Sequence, residues 1–135
     1  MKLSKKAYYG LRAAISLAQS DTPVSAHDLA RSEHIPEEFL EKILQKLKKE
    51  GIVDAKKGSE GGYFLARPAK KVSAWDIIGT LDAPFPRIMP PTPRGTLPCS
   101  IPSHCQTNEV WRTLEREIEK TLSKITLNTL VKPQD

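Results

Sequence analysis

The chain has 135 residues, which is the size of one domain with at most an appendage. Hydrophobic residues make up 39% and charged residues 27%, a balance typical of a folded globular protein and not of a disordered one. No apolar run reaches the roughly 18 residues that a membrane-spanning helix needs, so we expect no membrane span.

The net charge of +5 lies entirely in the first half of the chain. Residues 1–71 hold 14 Lys and Arg against 9 Asp and Glu, whereas residues 72–135 hold 7 of each. This asymmetry is typical of a surface that binds a polyanion. A lysine-rich surface that only keeps the protein soluble is the alternative.

The N-terminus resembles a secretory signal, because Lys2, Lys5 and Lys6 precede an apolar stretch over residues 7–18. Arg12 interrupts this stretch, and its apolar residues share one helical face at Ala7, Leu11, Ala14, Ile15 and Ala18. We therefore predict a core helix with Ser4 as its N-cap, in a cytoplasmic protein whose two cysteines stay reduced.

Two short helices joined by a tight link are predicted next. Ser25 and Asp28 form a capping-box pattern for the first, which we expect to end near His34. Pro36 occupies a favourable first position of the second, whose apolar stripe is Phe39, Leu40, Ile43, Leu44 and Leu47. This is the helix-turn-helix arrangement, in which the second helix can enter a major groove.

A basic hairpin follows the second of these helices. Residues 52–57 and 63–65 are predicted strands, and the glycine-rich segment 58–62 turns the chain between them. A basic hairpin directly after a helix-turn-helix is a wing, and Lys56 and Lys57 stand just before its tip, where phosphates would lie.

The second half contains two further predicted helices separated by a long loop. Ser73 and Asp76 form another capping box, which opens a short helix. Residues 83–105 carry seven of the eleven prolines, so this segment is neither helix nor central strand, and a loop of that length is functional or poorly ordered.

The last helix is predicted over residues 107–125, with Thr107 or Asn108 as its cap. Its apolar residues follow a spacing close to a two-helix seam, at Trp111, Leu114, Ile118, Leu122 and Ile125. Because a complete small core precedes it, we predict that residues 107–130 pair with a second subunit. The alternative is that the helix folds back on its own domain.

The sequence contains no convincing catalytic set, so we do not expect an enzyme. Gly58, Gly61 and Gly62 lack the spacing of a phosphate-binding loop. The most informative chemistry is the segment Cys99-Ser-Ile-Pro-Ser-His104-Cys105, which could bind a metal or cluster, form a disulfide, or be incidental. The ligand spacing that structural zinc sites use is missing.

These motifs together resemble the bacterial winged-helix regulators that include the iron–sulfur cluster regulator IscR, the nitric-oxide-sensing repressor NsrR and the cysteine-metabolism repressor CymR. The resemblance runs nearly end to end. It is carried by residues 1–4 with 9–13, by 35–41 followed by 47–53, by the wing residues Lys57-Gly58 and Gly61-Gly62-Tyr63-Phe-Leu-Ala66, and by 105–111 with 125–127. It implies a mainly α fold with a small β wing, namely a winged helix-turn-helix plus a long C-terminal dimerisation helix. It also favours DNA as the polyanion.

The resemblance implies a dimeric regulator, in most relatives a repressor, that reads a palindromic operator. The implied groove contacts on the recognition helix are Glu38, Phe39, Glu41, Lys42 and Lys46. There Lys42 is suited to donate to guanine and Glu41 to accept from cytosine, although the spacing of Phe39 suits the core equally well. Further contacts fall on the wing at Lys57, Gly58 and Ser59, and at the candidate phosphate ligands Lys2, Lys5 and Ser25.

Many members carry a [2Fe–2S] or [4Fe–4S] cluster on three cysteines before the last helix, and here the sequence departs from the pattern. Cys99 and Cys105 match, but Pro93 and Asn108 stand where an IscR-like chain has cysteine and histidine. Two thiolates alone hold a cluster poorly, so His104 or a residue of a second subunit would have to complete the ligands. Tyr8 stands where some relatives use an acidic ligand.

Three functional hypotheses follow. The first is a regulator that responds to iron–sulfur, redox or nitric-oxide state through Cys99 and Cys105. The second is a cluster-free member that senses by thiol oxidation or through a partner protein. The third, from a different class, is a winged helix used for protein binding. The predicted division is a DNA-binding domain (1–82), a sensor loop (83–105), and a dimerisation helix with its tail (106–135).

Overall fold

The computed structural model describes residues 3–83, 85–86 and 106–131. In chain order the elements are α1 (Lys5–Gln19), α2 (Ala26–Glu33), α3 (Glu37–Lys49), β1 (Val53–Lys56), β2 (Gly62–Leu65), a 3-10 turn (Ala69–Lys71), α4 (Ala74–Leu81), α5 (Gln106–Lys124) and α6 (Leu127–Leu130). The chain is therefore mainly helical with one small antiparallel sheet, which confirms the predicted fold class. None of the helices in these segments has the length and apolar character needed to cross a bilayer.

Serine side chains start three of the helices, as the sequence predicted. Ser4 Oγ accepts from the Ala7 N–H at 3.1 Å, and Ser25 Oγ accepts from the Asp28 N–H at 3.1 Å. At α4 the capping box is complete, because the Asp76 carboxylate also accepts from the Ser73 N–H at 2.9 Å. Each bond satisfies a backbone donor that has no partner within its helix.

Helix boundaries differ from the predictions at two places. Pro36 is the residue before α3 and not its first residue, since the helix begins at Glu37. Proline suits both positions because it has no N–H to satisfy. The second difference is at α5, which begins at Gln106, so Thr107 and Asn108 lie inside the helix and do not cap it.

The core forms where α1, α3 and α4 pack against one another. α1 contributes Ala7, Ala13, Ala14 and Leu17. Of the face predicted from its spacing, only Ala7 and Ala14 are fully buried, and Leu11, Ile15 and Ala18 are half-buried beside them. The largest fully buried side chains come from five different segments: Leu29, Leu40, Ile43, Leu44, Leu47, Ile52, Ile77 and Leu127. The apolar stripe of α3 thus anchors that helix and leaves its opposite face in solvent.

The C-terminal end of α5 folds back on the same chain. Ala74 N–H donates to the Ile125 carbonyl at 2.7 Å, and Leu127 N–H donates to the Val72 carbonyl at 2.9 Å. Leu127, on α6, is fully buried, and Leu122 and Ile125 pack against the core. The expectation that this helix has nothing of its own to bury against is therefore wrong for its last turns.

The N-terminal half of α5 is different, because two of its apolar residues are exposed while Trp111 is half-buried. Val110 is 58% exposed and Leu114 is 45% exposed. Pairing through residues 107–130 remains a prediction, as does the division of the chain at residues 82 and 105. The core itself crosses that division, since Leu127 lies in it.

Candidate nucleic-acid interface

A tight turn sets the angle between α2 and α3. His34 adopts the left-handed conformation with φ 55°, and the Ile35 N–H donates back to the Ala30 carbonyl at 3.0 Å. Arg12 of α1 donates to the Glu33 carbonyl at 2.7 Å and lies 3.3 Å from the Glu33 carboxylate. Because α1 holds the end of α2 in this way, α3 leaves the turn in a fixed direction.

The outer face of α3 carries polar side chains that no core contact occupies. Leu40, Ile43, Leu44 and Leu47 are buried on its inner face. The predicted contacts Glu38, Glu41, Lys42 and Lys46 are all exposed on the opposite side. This face presents carboxylate acceptors and ammonium donors together, which is the chemistry that reads base edges and phosphates.

Phe39 packs between α3 and α1. Its ring is half-buried against the core and meets the edge of Tyr9 at 5.7 Å between centroids, with an interplanar angle of 85°. Such a perpendicular contact is a favourable arrangement of two aromatic rings. Phe39 therefore links α3 to α1, and a DNA contact by the same ring stays a prediction.

The wing is a short antiparallel hairpin that ends in a basic tip. Val53 pairs with Leu65, and the register runs to the pair of Lys56 and Gly62. Lys57, Gly58 and Ser59 follow at the tip, where all three are exposed. The hairpin therefore projects an ammonium group and a hydroxyl group beyond the helices.

The second strand of the wing is attached to the segment just before α2. Tyr63 pairs with Val24 through two backbone hydrogen bonds, of 2.7 and 2.9 Å. Gly62 lies so close to this segment that an added Cβ would approach the Val24 carbonyl carbon to 2.5 Å. The wing and the capped end of α2 at Ser25 are thereby placed side by side.

Arg67 attaches the wing to α3 as well. Its guanidinium donates to the Glu50 carbonyl at 2.9 Å and to the Gly51 carbonyl at 3.2 Å, just after α3 ends. A cation at this position also complements the negative end of the helix dipole. Neither attachment, by Val24 or by Arg67, could be predicted from the sequence, because neither residue belongs to a local pattern.

The remaining predicted residues fall into two groups. Lys5 is exposed at the start of α1, and Ser25 is half-buried as a helix cap. Lys2, Cys99, His104 and Cys105 lie outside the described residues, so their roles stay predictions. Within residues 3–83, 85–86 and 106–131, no group of three or more His, Cys, Asp or Glu could hold a metal ion.

Comparison with known proteins gives a consistent result. A family model described as Rrf2, iron-dependent transcriptional regulator, matches residues 3–133. The chain is 38% identical over 129 residues to an HTH-type transcriptional regulator of Mycobacterium tuberculosis, an alignment that covers 94% of this chain and 79% of that protein.

Solved structures match over nearly the whole chain as well. T. potens IscR matches at 31% identity and a TM-score of 0.76, covering 96% of this chain and 85% of that one. CymR, the global cysteine regulator of B. subtilis, matches at 29% identity and a TM-score of 0.79, covering 100% and 99%. These relatives are regulators and not enzymes, in agreement with the sequence analysis.

Proposed function

Because this chain belongs to the Rrf2 family of DNA-binding transcriptional regulators, we propose that it acts as a homodimer on a palindromic operator. Each subunit reads one half-site with α3 in the major groove and its wing on the adjacent backbone. By resemblance to its relatives it is a repressor, which occupies the operator and so blocks transcription.

The observation that carries this proposal is the joint attachment of the two reading elements. Tyr63 holds the wing to the segment before α2, and Arg67 holds it to the end of α3. The exposed face of α3 and the basic tip at Lys57 are therefore held at a fixed distance and angle to each other. Two reading elements in a fixed relation suit a rigid duplex, since specific contacts require several side chains to reach their positions at once.

The roles of the side chains follow from their chemistry. Glu38 and Glu41 accept hydrogen bonds from base amino groups, of which cytosine N4 is the best suited. Lys57 and Ser59 bind the phosphate backbone beside the wing, with Gly58 allowing close approach. Lys5 and the capped start of α2 at Ser25 bind phosphates on the flanks.

The test is selection of binding sites from randomised duplexes by the full chain, followed by affinity measurements across salt concentrations. We expect inverted repeats with half-sites about one helical turn, or a multiple of it, apart. We also expect Lys57→Ala to lower the salt slope by about one unit, whereas Lys120→Ala, exposed on α5, leaves it unchanged. No enriched site together with a flat salt response would favour the protein-binding alternative.

The sensing part of the proposal concerns Cys99 and Cys105. These residues lie in the segment between α4 and α5, two helices that contact each other. A chemical change at the thiols, whether cluster loading or oxidation, would thus act between the DNA-binding elements and the pairing helix. Cys99 and Cys105, with His104 as a candidate third ligand, are the residues of this chain that would hold an iron–sulfur cluster.

A further inference from the structure

A cleft of about 370 Å³ lies between the start of α1 and one side of α3. Phe39 and Ile43 form its apolar floor. Its polar lining is Gln45 together with four lysines: Lys6 from α1, and Lys42, Lys46 and Lys49 from α3. No carboxylate contributes to the lining, so every charged side chain that borders the cleft is cationic.

On α3, lysines line the cleft and glutamates do not. Phe39, Lys42, Lys46 and Lys49 follow one another at intervals of three, four and three residues, which places them along one side of a helix. Glu38 and Glu41 are absent from the cleft lining, and Glu41 belongs to the side of the helix away from Phe39. The exposed surface of α3 thus carries a row of lysines toward α1, with Glu41 away from them and Glu38 one turn before Lys42.

The four lysines lack internal partners that would neutralise them. In the described part of the chain the ion pairs are Arg12 with Glu33, His27 with Glu37, and Arg116 with Glu109. None of these involves a lysine of the cleft, and like charges gathered in one place repel. A bound polyanion would remove that repulsion, and it would release its own condensed counterions on binding.

We propose that this cleft binds the phosphate backbone of DNA at the edge of the major groove that α3 enters. This proposal rests on the proposed DNA-binding function and deepens it by separating backbone contacts from base contacts on one helix. Lys42 then binds phosphate and not guanine, and Lys49 is a contact and not a solvated charge at the helix end. Lys6 binds the same strand from α1, while Phe39 and Ile43 offer an apolar surface to the sugars.

The test compares three full-length variants, Lys6→Gln, Lys42→Gln and Lys49→Gln, with Lys48→Gln as the matched control. Lys48 is exposed next to Lys49 but does not line the cleft. Affinity is measured for a selected operator duplex and for a scrambled duplex of equal length, over a series of salt concentrations. A thermal unfolding curve for each variant confirms that it is folded.

We expect each cleft variant to lower affinity for both duplexes by the same factor and to reduce the salt slope by about 0.9. Lys48→Gln keeps the salt slope of the natural chain. Lys49→Arg restores the affinity and the salt slope that Lys49→Gln lowers. Unchanged slopes in the cleft variants, with a steep slope for the natural chain, would overturn this inference and leave the proposed function intact. A loss for Lys42→Gln confined to the operator duplex would return that residue to base reading, whereas a flat slope for the natural chain would remove both proposals.

Discussion

The backbone of Tyr63 in the wing pairs with that of Val24, the residue before the cap of α2, through hydrogen bonds of 2.7 and 2.9 Å. This bridge brings the wing within contact of the helix-turn-helix although some forty residues separate the two in sequence. It depends on Gly62, whose φ of 145° is open to glycine and strained for other residues.

Gly62→Ala should therefore destabilise the protein by about 2 kcal/mol or more, because backbone strain adds to the clash with Val24. Gly58→Ala is the control, since Gly58 also has positive φ but meets no atom within 4 Å. It should cost only about 1 kcal/mol. Urea unfolding at one protein concentration measures both, and equal losses would mean that the close approach to Val24 carries no energy.

Arg67→Ala should lower the free energy of unfolding by about 1 kcal/mol, because the carbonyls of Glu50 and Gly51 lose a charged donor. DNA affinity should fall as well, since the wing loses its attachment to α3. Arg67→Lys should have a free energy of unfolding and a DNA affinity between those of the natural chain and of Arg67→Ala. Lysine keeps the charge but cannot donate to two carbonyls in the geometry of a guanidinium. Lys71→Ala, exposed nearby, is the control. If Arg67→Ala kept the stability and the DNA affinity of the natural chain, the role of Arg67 in attaching the wing would be wrong.

Leu127→Ala should cost about 2–5 kcal/mol, the range for removing a large buried side chain, because Leu127 is fully buried. Leu130 lies in the same short helix but is 36% exposed, so Leu130→Ala should lower the free energy of unfolding by much less than Leu127→Ala does. Urea unfolding of the two variants gives the comparison. A small loss for Leu127→Ala would show that α6 is not part of the core.

Leu114→Glu should separate the proposed dimer while each subunit stays folded, because Leu114 is 45% exposed and the described core does not bury it. Thr113→Glu introduces the same charge at the neighbouring exposed position and should leave the dimer intact. Sedimentation velocity distinguishes the two states. If both variants dimerise as tightly as the natural chain, the dimer interface lies elsewhere.

Oxidant or iron chelator should change the operator affinity of the natural chain, and the double variant Cys99→Ser with Cys105→Ser should not respond. Anaerobic purification with an absorption spectrum and an iron and sulfide count then assigns the chemistry. Visible absorbance with stoichiometric iron indicates a cluster, and a colourless, iron-free protein indicates a thiol switch or a partner. If natural chain and double variant respond alike, the cysteines are not the sensor.

Local patterns predicted the elements of this fold well. Caps at Ser4, Ser25 and Ser73, the apolar spacing of α3 and the glycine-rich turn of the wing are all short-range signals, and each marks a real boundary. The exposed face of α3 followed directly, because the buried stripe leaves the other side to solvent.

The contacts that assemble those elements were not predictable in the same way. The pairing of Val24 with Tyr63, the bonds of Arg67 and the return of residues 125–127 to Val72 join residues far apart in sequence. The cleft likewise combines Lys6 with three lysines more than thirty residues later. Lys49 lies at the C-terminal end of α3, and it shares the cleft with Lys6 because of how α1 packs on α3 and not because of local spacing.

The burial of Leu127 in the core has a consequence for the order of events during synthesis. The helix-turn-helix and the wing end by residue 67, yet the core that supports them receives one of its largest side chains sixty residues later. A nascent chain on the ribosome therefore lacks that side chain until α5 has been made, although domains generally fold as units as they emerge. The helix-turn-helix and the wing therefore reach their full core only together with α6.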